Sequence, residues 1–286
     1  MKADCDDFWY EVDLMVKVIL GLLVTNRDWP LNTTAPRHWR RELHFRHFFY
    51  RTQQTEQMAY TSGLVGYWPL NARHGSHDVS GYGNDGVQFD MGMADGPDGE
   101  AEGSYYFKGI QGSRVEVPNN GALCPRSYMT IQCWLFPEGE TDVPLFSYQR
   151  DLKGNLYDYG VSFWLHNTST KLSAQFSDQD KGKSQKEVRA DVIKNDEWQF
   201  ISATYSLTTG YVKLYRNGEE VESHEAGDVN LATQYPVIMG GKPAAKDGAV
   251  DKRCYKGRLA HMQVYNTTLT QEQIKEAMER TKKGYY

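Results

Sequence analysis

Residues 211–225 read YVKLYR-NG-EEVESHE, and this stretch sets the class of fold that the chain is expected to adopt. The dipeptide Asn217-Gly218 separates two runs that have the composition of β-strands. A tight type I′ turn needs positive φ angles at both central residues, which Asn and Gly tolerate better than other residues. The stretch therefore predicts a β-hairpin, in which Val212 and Leu214 share one face and Lys213 the other.

The same alternation of apolar and polar residues recurs along the chain after about residue 62. Its apolar members are Val115 and Val117; Ile131, Cys133 and Leu135; Val161, Phe163 and Leu165; and Ile201, Ala203 and Tyr205. Such a period of two predicts strands with one buried and one partly wet face. Closely spaced strands without helical patterns between them predict an all-β, two-sheet antiparallel sandwich.

One short helix is predicted at the C-terminus of this sandwich. Thr270 followed by Gln273 forms the pattern of a capping box, and Leu269 with Ile274 forms a hydrophobic staple. Ile274, Ala277 and Met278 then give an apolar stripe at helical spacing. We expect this helix to pack on the sandwich as a brace.

Length and charge bound the organisation of the chain. The 286 residues include 19 Tyr and 7 Trp, enough for a large aromatic core, and the net charge of -5 argues against a chain-wide surface for nucleic acid. We predict an N-terminal leader over residues 1–61 and one β domain over residues 62–286. The leader is irregular or helical in pattern.

The leader contains two informative stretches. Residues 16–24 (VKVILGLLV) are as long as the apolar region of a signal peptide and too short for a transmembrane span, but acidic residues precede them. Residues 37–51 mix Arg and His with aromatics, which fits a membrane-surface helix, a helix packed on the domain, or a poorly ordered leader. Three glycosylation sequons, at Asn32, Asn167 and Asn266, favour secretion, so we expect a secreted, extracellular glycoprotein.

Several motifs resemble one known family, in the right order. These are residues 64–70 (LVGYWPL), 78–86 (DVSGYGNDG), 129–136 (MTIQCWLF), 197–205 with 212–218, and the closing strand and helix from Gly257. Together they resemble laminin-G-like jelly-roll domains of the concanavalin A-like lectin/glucanase superfamily, with pentraxin-like features. The resemblance implies a jelly roll of two curved antiparallel sheets. Its members bind glycans, glycoconjugates or protein ligands, often with calcium.

The resemblance also offers a test for catalysis. Retaining glycosidases of this architecture carry the motif E-x-D-x-x-E on one strand, which the domain lacks. In the strand-like runs, the side chains opposite the apolar rows include no pair of carboxylates. Hydrolase, zinc-protease and P-loop motifs are absent too. We therefore expect no enzyme, and a glycoside-active enzyme with an unrecognised site is the weakest alternative.

Two calcium sites are implied by the resemblance, and each is incomplete. Asp78 matches the acidic residue of a laminin-G-like site, but Ala260-His261 stands where an acidic pair is common. Asp151 and Asn155 match the pentraxin Asp-Asn pair, but Lys242 stands where oxygen ligands are expected. Calcium is therefore the candidate cofactor, with Asp78, Asp151 and Asn155 as its candidate ligands. The alternative is that Asp78 only caps its turn.

The four cysteines leave the disulfides open. Cys124 and Cys133 could bridge locally, or either could pair with Cys254, and no C-x-x-C motif indicates a metal or redox site. The alternation of Cys133 with Ile131 and Leu135 favours a buried thiol at Cys133.

The expected ligand-binding face follows from the same alternation. The residues predicted to face away from the apolar rows are Gln132 and Trp134, Trp164 and His166, and Tyr211 and Lys213. If their strands share one concave sheet, that face combines aromatic rings with amides, hydroxyls and a cation, which suits sugars. The alternative is that these aromatics pack beneath loops or the C-terminal helix.

The function predicted from these residues is that of an extracellular carbohydrate- or glycoconjugate-binding or adhesion module without catalytic activity. Its expected partners are glycans or glycoproteins. The main alternative is a protein–protein scaffold module of the same fold.

Overall fold

The computed structural model describes residues 62–139, 142–149, 159–166, 170–180, 185–241 and 253–284. From Gly63 onward, the described residues belong to one compact unit. They form two antiparallel sheets, as the alternation predicted. The predicted leader, including residues 16–24 and 37–51, lies outside the described residues. Within the part of the chain that is described, no helix is long and apolar enough to cross a membrane.

The first sheet has eight strands, in the order β13-β12-β11-β6-β15-β4-β3, with β1 paired to β15. Its strands are β1 (Leu64–Trp68), β3 (Gly92–Ala94), β4 (Ser104–Lys108), β6 (Tyr128–Pro137), β11 (Gln199–Ser206), β12 (Tyr211–Arg216), β13 (Glu219–Glu225) and β15 (Lys256–Tyr265).

The second sheet has seven strands, in the order β10-β9-β8-β7-β14-β5-β2. Its strands are β2 (Val87–Phe89), β5 (Arg114–Val117), β7 (Val143–Gln149), β8 (Tyr159–His166), β9 (Lys171–Ser177), β10 (Gln185–Asp191) and β14 (Val237–Met239).

The apolar core lies where the alternating rows of the two sheets meet. Ile131 and Leu135 of β6 are almost completely buried, as are Phe163 and Leu165 of β8. Burial of such side chains contributes roughly 1.5–3 kcal/mol each. The predicted two-sheet architecture is therefore confirmed, and the apolar rows of β6 and β8 point into the core.

The hairpin at Asn217-Gly218 is confirmed. Arg216 pairs with Glu219 across the turn. Asn217 and Gly218 have φ angles of 52° and 77°, the left-handed conformation that a type I′ turn requires.

The predicted C-terminal helix is also confirmed as α1 (Gln271–Lys282), with both hydrogen bonds of the capping box at Thr270. Ile274 and Ala277 are fully buried. Near the N-terminus of the helix, the backbone N–H of Leu269 donates to Thr130 of β6. Near its C-terminus, the indole of Trp134, also in β6, donates to Thr281. The helix therefore lies along β6, on the outer face of the first sheet.

The structure answers most of the open question about the disulfides. Cys124 is disulfide-bonded, whereas Cys133 and Cys254 are buried thiols outside any disulfide. The proposed bridges of Cys124 to Cys133 or to Cys254 are therefore wrong, and the buried thiol at Cys133 is confirmed. Of the three sequons, only Asn266 is described, at the end of β15 and partly exposed.

Candidate functional site

The six residues predicted to bind ligand lie at three separate places. Gln132 and Trp134 lie in β6, and Tyr211 and Lys213 in β12, both in the first sheet. Trp164 and His166 lie in β8, which belongs to the second sheet. The condition that these strands share one sheet is therefore not met, and a single face cannot present all six side chains.

Gln132 and Trp134 lie on the outer face of the first sheet, where α1 covers them. Gln132 is completely buried and Trp134 is 5% exposed. The amide nitrogen of Gln132 donates to Gln263 at 2.6 Å, and the indole of Trp134 packs edge-on against Phe200. Gln132 and Trp134 therefore pack beneath the helix, which is the alternative that the sequence left open.

Trp164 and His166 belong to a polar cluster on the outer face of the second sheet. The pairing Trp164↔Ser173↔Arg189 places side chains of β8, β9 and β10 in one row. The rings of Trp164 and His166 stack with 5.8 Å between centroids. We call this group the His166 cluster; its members are Asp142, Trp164, His166, Ser173, Glu187 and Arg189.

The imidazole of His166 organises this cluster. Its Nδ1 lies 2.8 Å from the Asp142 carboxylate, and its Nε2 lies 2.9 Å from the Ser173 hydroxyl and 3.4 Å from Glu187. Because a carboxylate only accepts hydrogen bonds, Nδ1 carries a hydrogen. Asp142 also accepts the indole N–H of Trp164 at 2.6 Å. The side chains are thereby held in one arrangement before any ligand arrives.

Two charged members of the cluster remain open to solvent. The side chains of Asp142 and Arg189 are 54% and 55% exposed. The Arg189 guanidinium contacts both oxygens of Glu187 at 2.6 Å, which uses two of its five N–H groups. The guanidinium of Arg253 lies 5.5 Å above the Trp164 ring. The cluster therefore presents an exposed carboxylate and an exposed guanidinium on the outer face of the second sheet.

Asp142 and Glu187 place two carboxylates beside His166, and glycosidases also use a pair of carboxylates. Burial alone would raise the pKa of Glu187, but hydrogen bonds from His166 and Arg189 outweigh it and lower that pKa to about 2. A general acid must hold its proton near the working pH. Glu187 is ionised there, so it lacks the protonation state that a glycosidase acid requires.

Asp142, His166 and Ser173 also line up in the order of an acid–base–nucleophile triad. Ser173, however, is only 1% exposed. It also hydrogen-bonds to Glu187, which competes for the hydroxyl. A nucleophile needs space beside it for the substrate carbonyl and for donors to the oxyanion. The arrangement therefore fits a rigid binding surface better than a hydrolase.

Tyr211 and Lys213 lie on an open part of the first sheet. Tyr211 is 39% exposed. The Lys213 amino group lies 2.8 Å from Glu220 of β13. Of the predicted ligand-binding residues in the first sheet, Tyr211 and Lys213 are therefore the two that a ligand can reach.

Asp78 serves as a turn residue. One oxygen of its carboxylate accepts the backbone N–H groups of Tyr67 and Ser80 at 2.9 and 3.0 Å. The other oxygen accepts that of Asn84 at 3.0 Å. In the described ranges, no three His, Cys, Asp or Glu side chains are arranged to hold a metal. Asp78 therefore caps its turn, which is the alternative that the sequence left open, whereas Asp151 and Asn155 lie outside the described residues.

Sequence reasoning missed four of the six members of the His166 cluster, namely Asp142, Ser173, Glu187 and Arg189. Glu187 and Arg189 lie in β10 (QKEVRAD), whose lone apolar pair gives little alternation to recognise. Asp142 precedes β7 and joins the cluster only because β7 pairs with β8. The expectation about carboxylates concerned the recognised strand-like runs, and it did not include β10, which supplies Glu187, or Asp142, which precedes β7. The alternation of charge in β10 was the signal that could have indicated a strand with a polar outer face.

Comparison with known proteins agrees with this architecture. A model of the concanavalin A-like lectin/glucanase superfamily matches residues 108–275, more than half of the chain. No curated protein matches the sequence significantly.

Solved structures share the fold at low sequence identity. The binding domain of Paraclostridial Mosquitocidal Protein 1 superposes with a TM-score of 0.58 at 16% identity, covering 76% of this chain and 52% of that one. The botulinum neurotoxin serotype D ligand-binding domain in complex with N-acetylneuraminic acid gives 0.57 at 15% identity, covering 77% and 51%. The receptor-binding domain of botulinum neurotoxin D gives 0.56 at 15%, covering 77% and 53%. The chain thus spans about half the length of these structures.

Proposed function

Because the chain belongs to the concanavalin A-like lectin/glucanase superfamily, we propose that it is an extracellular carbohydrate- or glycoconjugate-binding module without catalytic activity. Its structural neighbours are described as binding domains, one of them in complex with a sugar acid. We place the ligand site at the His166 cluster. Its expected partners are glycans or glycoproteins.

One observation carries the proposal, namely the exposed Asp142 and Arg189 side chains held on a preorganised sheet face. Sugar hydroxyls both donate and accept hydrogen bonds, so they suit a neighbouring carboxylate and guanidinium. The contact of His166 with Asp142 and that of Glu187 with Arg189 hold both groups in place before a ligand arrives, so little conformational freedom is lost on binding. The low pKa of Glu187 and the buried Ser173 support binding over catalysis.

A glycan array with the whole chain tests the proposal, run once with calcium and once with a chelator. We expect glycan binding by the parent protein, and Arg189→Ala should weaken it by about 10-fold or more, since hydrogen bonds to charged groups are worth about 1.5–3 kcal/mol. Arg216→Ala is the matched control, because Arg216 pairs with Glu197 in the first sheet at 2.7 Å. The control should bind normally.

Each other outcome has a defined meaning. If the protein binds no glycan on the array, a protein–protein scaffold module is favoured and the proposal is overturned. Cleavage of any glycan on the array would overturn the absence of catalysis. Loss of binding in the chelator would support calcium as a cofactor, whereas unchanged binding would argue against it.

A further inference from the structure

We infer a second carbohydrate-binding surface on the first sheet, formed by Tyr128, Ser206 and Tyr211, which takes neutral β-linked oligosaccharides. We call these residues the tyrosine row. Ser206 of β11 pairs with Tyr128 on one side and with Tyr211 on the other. Residues directly opposite each other in antiparallel strands point to the same face. The three side chains therefore stand in line on the outer face of the first sheet, away from the His166 cluster.

The exposure of the two rings is unusual for this face. Tyr128 and Tyr211 are 38% and 39% exposed. On the same face, Trp134 and Tyr215 are 5% and 4% exposed. The hydroxyl of Thr268, two residues before the N-cap of α1, donates to the backbone carbonyl of Tyr205. The row therefore lies beyond the part of the sheet that the helix covers.

The row is firmly held. The hydroxyl of Tyr128 lies 2.8 Å from that of Thr208, in the turn that joins β11 to β12. Both rings rise from the paired β6-β11-β12 ladder, which fixes the positions of their Cα atoms. The tyrosine row would therefore lose little conformational freedom when a ligand binds. This favours binding of a flat ligand that makes only weak contacts.

The polar surroundings indicate an uncharged saccharide. Lys213 is paired with Glu220 at 2.8 Å, and Tyr211 stands opposite the exposed Glu225. Anionic sugars would meet this carboxylate. Ser206 between the rings and Thr208 beside them supply hydroxyl groups rather than the contiguous apolar area that a protein interface needs at its centre.

The spacing of the two tyrosine positions on the sheet suggests how a sugar chain would lie. Neighbouring strands are about 4.8 Å apart, so the Cα atoms of Tyr128 and Tyr211, with β11 between their strands, are about 9.5 Å apart. This is comparable to the length of one disaccharide repeat in an extended β-linked chain. Each ring could therefore cover the apolar C–H face of every second sugar.

Titration of the whole chain with cellohexaose, cellobiose and a sialylated trisaccharide tests this inference. We expect the hexasaccharide to bind best and the sialylated sugar not to bind at this surface. Tyr128→Ala and Tyr211→Ala should each lower hexasaccharide affinity by roughly 2- to 10-fold. Tyr211→Phe, which keeps the ring, should retain most of it. Thermal melts of these exposed-site variants confirm that the fold is intact.

The control is Arg216→Ala, which alters a side chain paired with Glu197 outside both surfaces and should leave cellohexaose affinity unchanged. A loss of cellohexaose binding in that variant as large as in the Tyr→Ala variants would overturn the tyrosine row. Equal binding of cellobiose and cellohexaose would overturn the spacing argument. Unchanged affinity in both Tyr→Ala variants, or no hexasaccharide binding, would overturn the site, whatever the glycan array shows for the His166 cluster.

Discussion

The indole Nε1 of Trp134 donates a buried hydrogen bond of 2.9 Å to the hydroxyl of Thr281, which ties strand β6 to the last turn of α1. Thr281 in turn donates to the carbonyl of Ala277 at 2.8 Å. The aromatic ring that the alternation placed on a wet face is thereby incorporated into a second, smaller core between sheet and helix.

Replacing Thr281 by valine should destabilise the domain. Valine preserves the shape but leaves the Trp134 N–H buried without its acceptor, which costs about 1–3 kcal/mol. Urea unfolding followed by Trp fluorescence measures this loss. Glu279→Gln, at an exposed position of the same helix, is the control and should change stability by less than about 0.5 kcal/mol. Equal stability of the two variants would contradict the role of this bond.

The stability of the domain should depend on His261 in mildly acidic solution. Burial lowers the pKa of His261 to about 4, with a smaller opposing effect of Asp98 and a smaller lowering by His74. In the unfolded chain His261 binds a proton near pH 6.5, whereas in the folded chain it binds one only near pH 4. Stability should therefore fall as the pH falls between these values, by about 2–3 kcal/mol from pH 7.5 to 4.5.

Urea unfolding at several pH values measures this dependence. His261→Asn is the informative variant, because Asn tolerates the positive φ angle of 54° at this position. The difference between the pH profiles of parent and variant isolates His261 from the carboxylates. If the two profiles are parallel from pH 7.5 to 4.5, His261 does not cause the expected loss of stability.

Asp78 should stabilise the fold without a metal ion. Its carboxylate accepts three backbone N–H groups, so Asp78→Ala should cost about 3 kcal/mol or more. The loss should be the same in calcium and in chelator, as read from thermal melts. Asp98→Ala, which changes an exposed loop carboxylate, is the control. A loss that appears only in calcium would instead make Asp78 a metal ligand.

Cys133 should resist alkylation in the folded protein. The thiol is completely buried, and burial raises its pKa well above the usual range, so little reactive thiolate forms. Iodoacetamide at pH 8 should modify Cys133 only after denaturant is added, as peptide mass spectrometry can show. Modification at the same rate in both conditions would mean that β6 opens readily.

The elements that sequence predicted well depend on neighbours along the chain. The hairpin follows from the φ preferences of Asn217 and Gly218, and the helix start from Thr270 and Gln273, three residues apart. The buried faces of β6 and β8 follow from alternation over a few residues. Each of these is a short-range property, so it can be read without knowing the rest of the structure.

The candidate site could be predicted only in part. Trp164, His166, Tyr211 and Lys213 were correctly placed on outer faces, but alternation does not say which sheet a strand joins. Tyr128 was not singled out, because its significance depends on pairing with Ser206 more than seventy residues away along the chain. Glu187 was missed because β10 alternates charges rather than apolar residues.

The local pattern of residues thus determined the strands, the hairpin turn, the helix cap and the identity of the buried rows. The tertiary structure alone decided that β6 and β8 lie in opposite sheets, that α1 covers Gln132 and Trp134, and that Asp142 reaches His166. The physical reason is that strand pairing and helix packing join residues far apart in the chain, whereas turn, cap and alternation preferences act within a few residues.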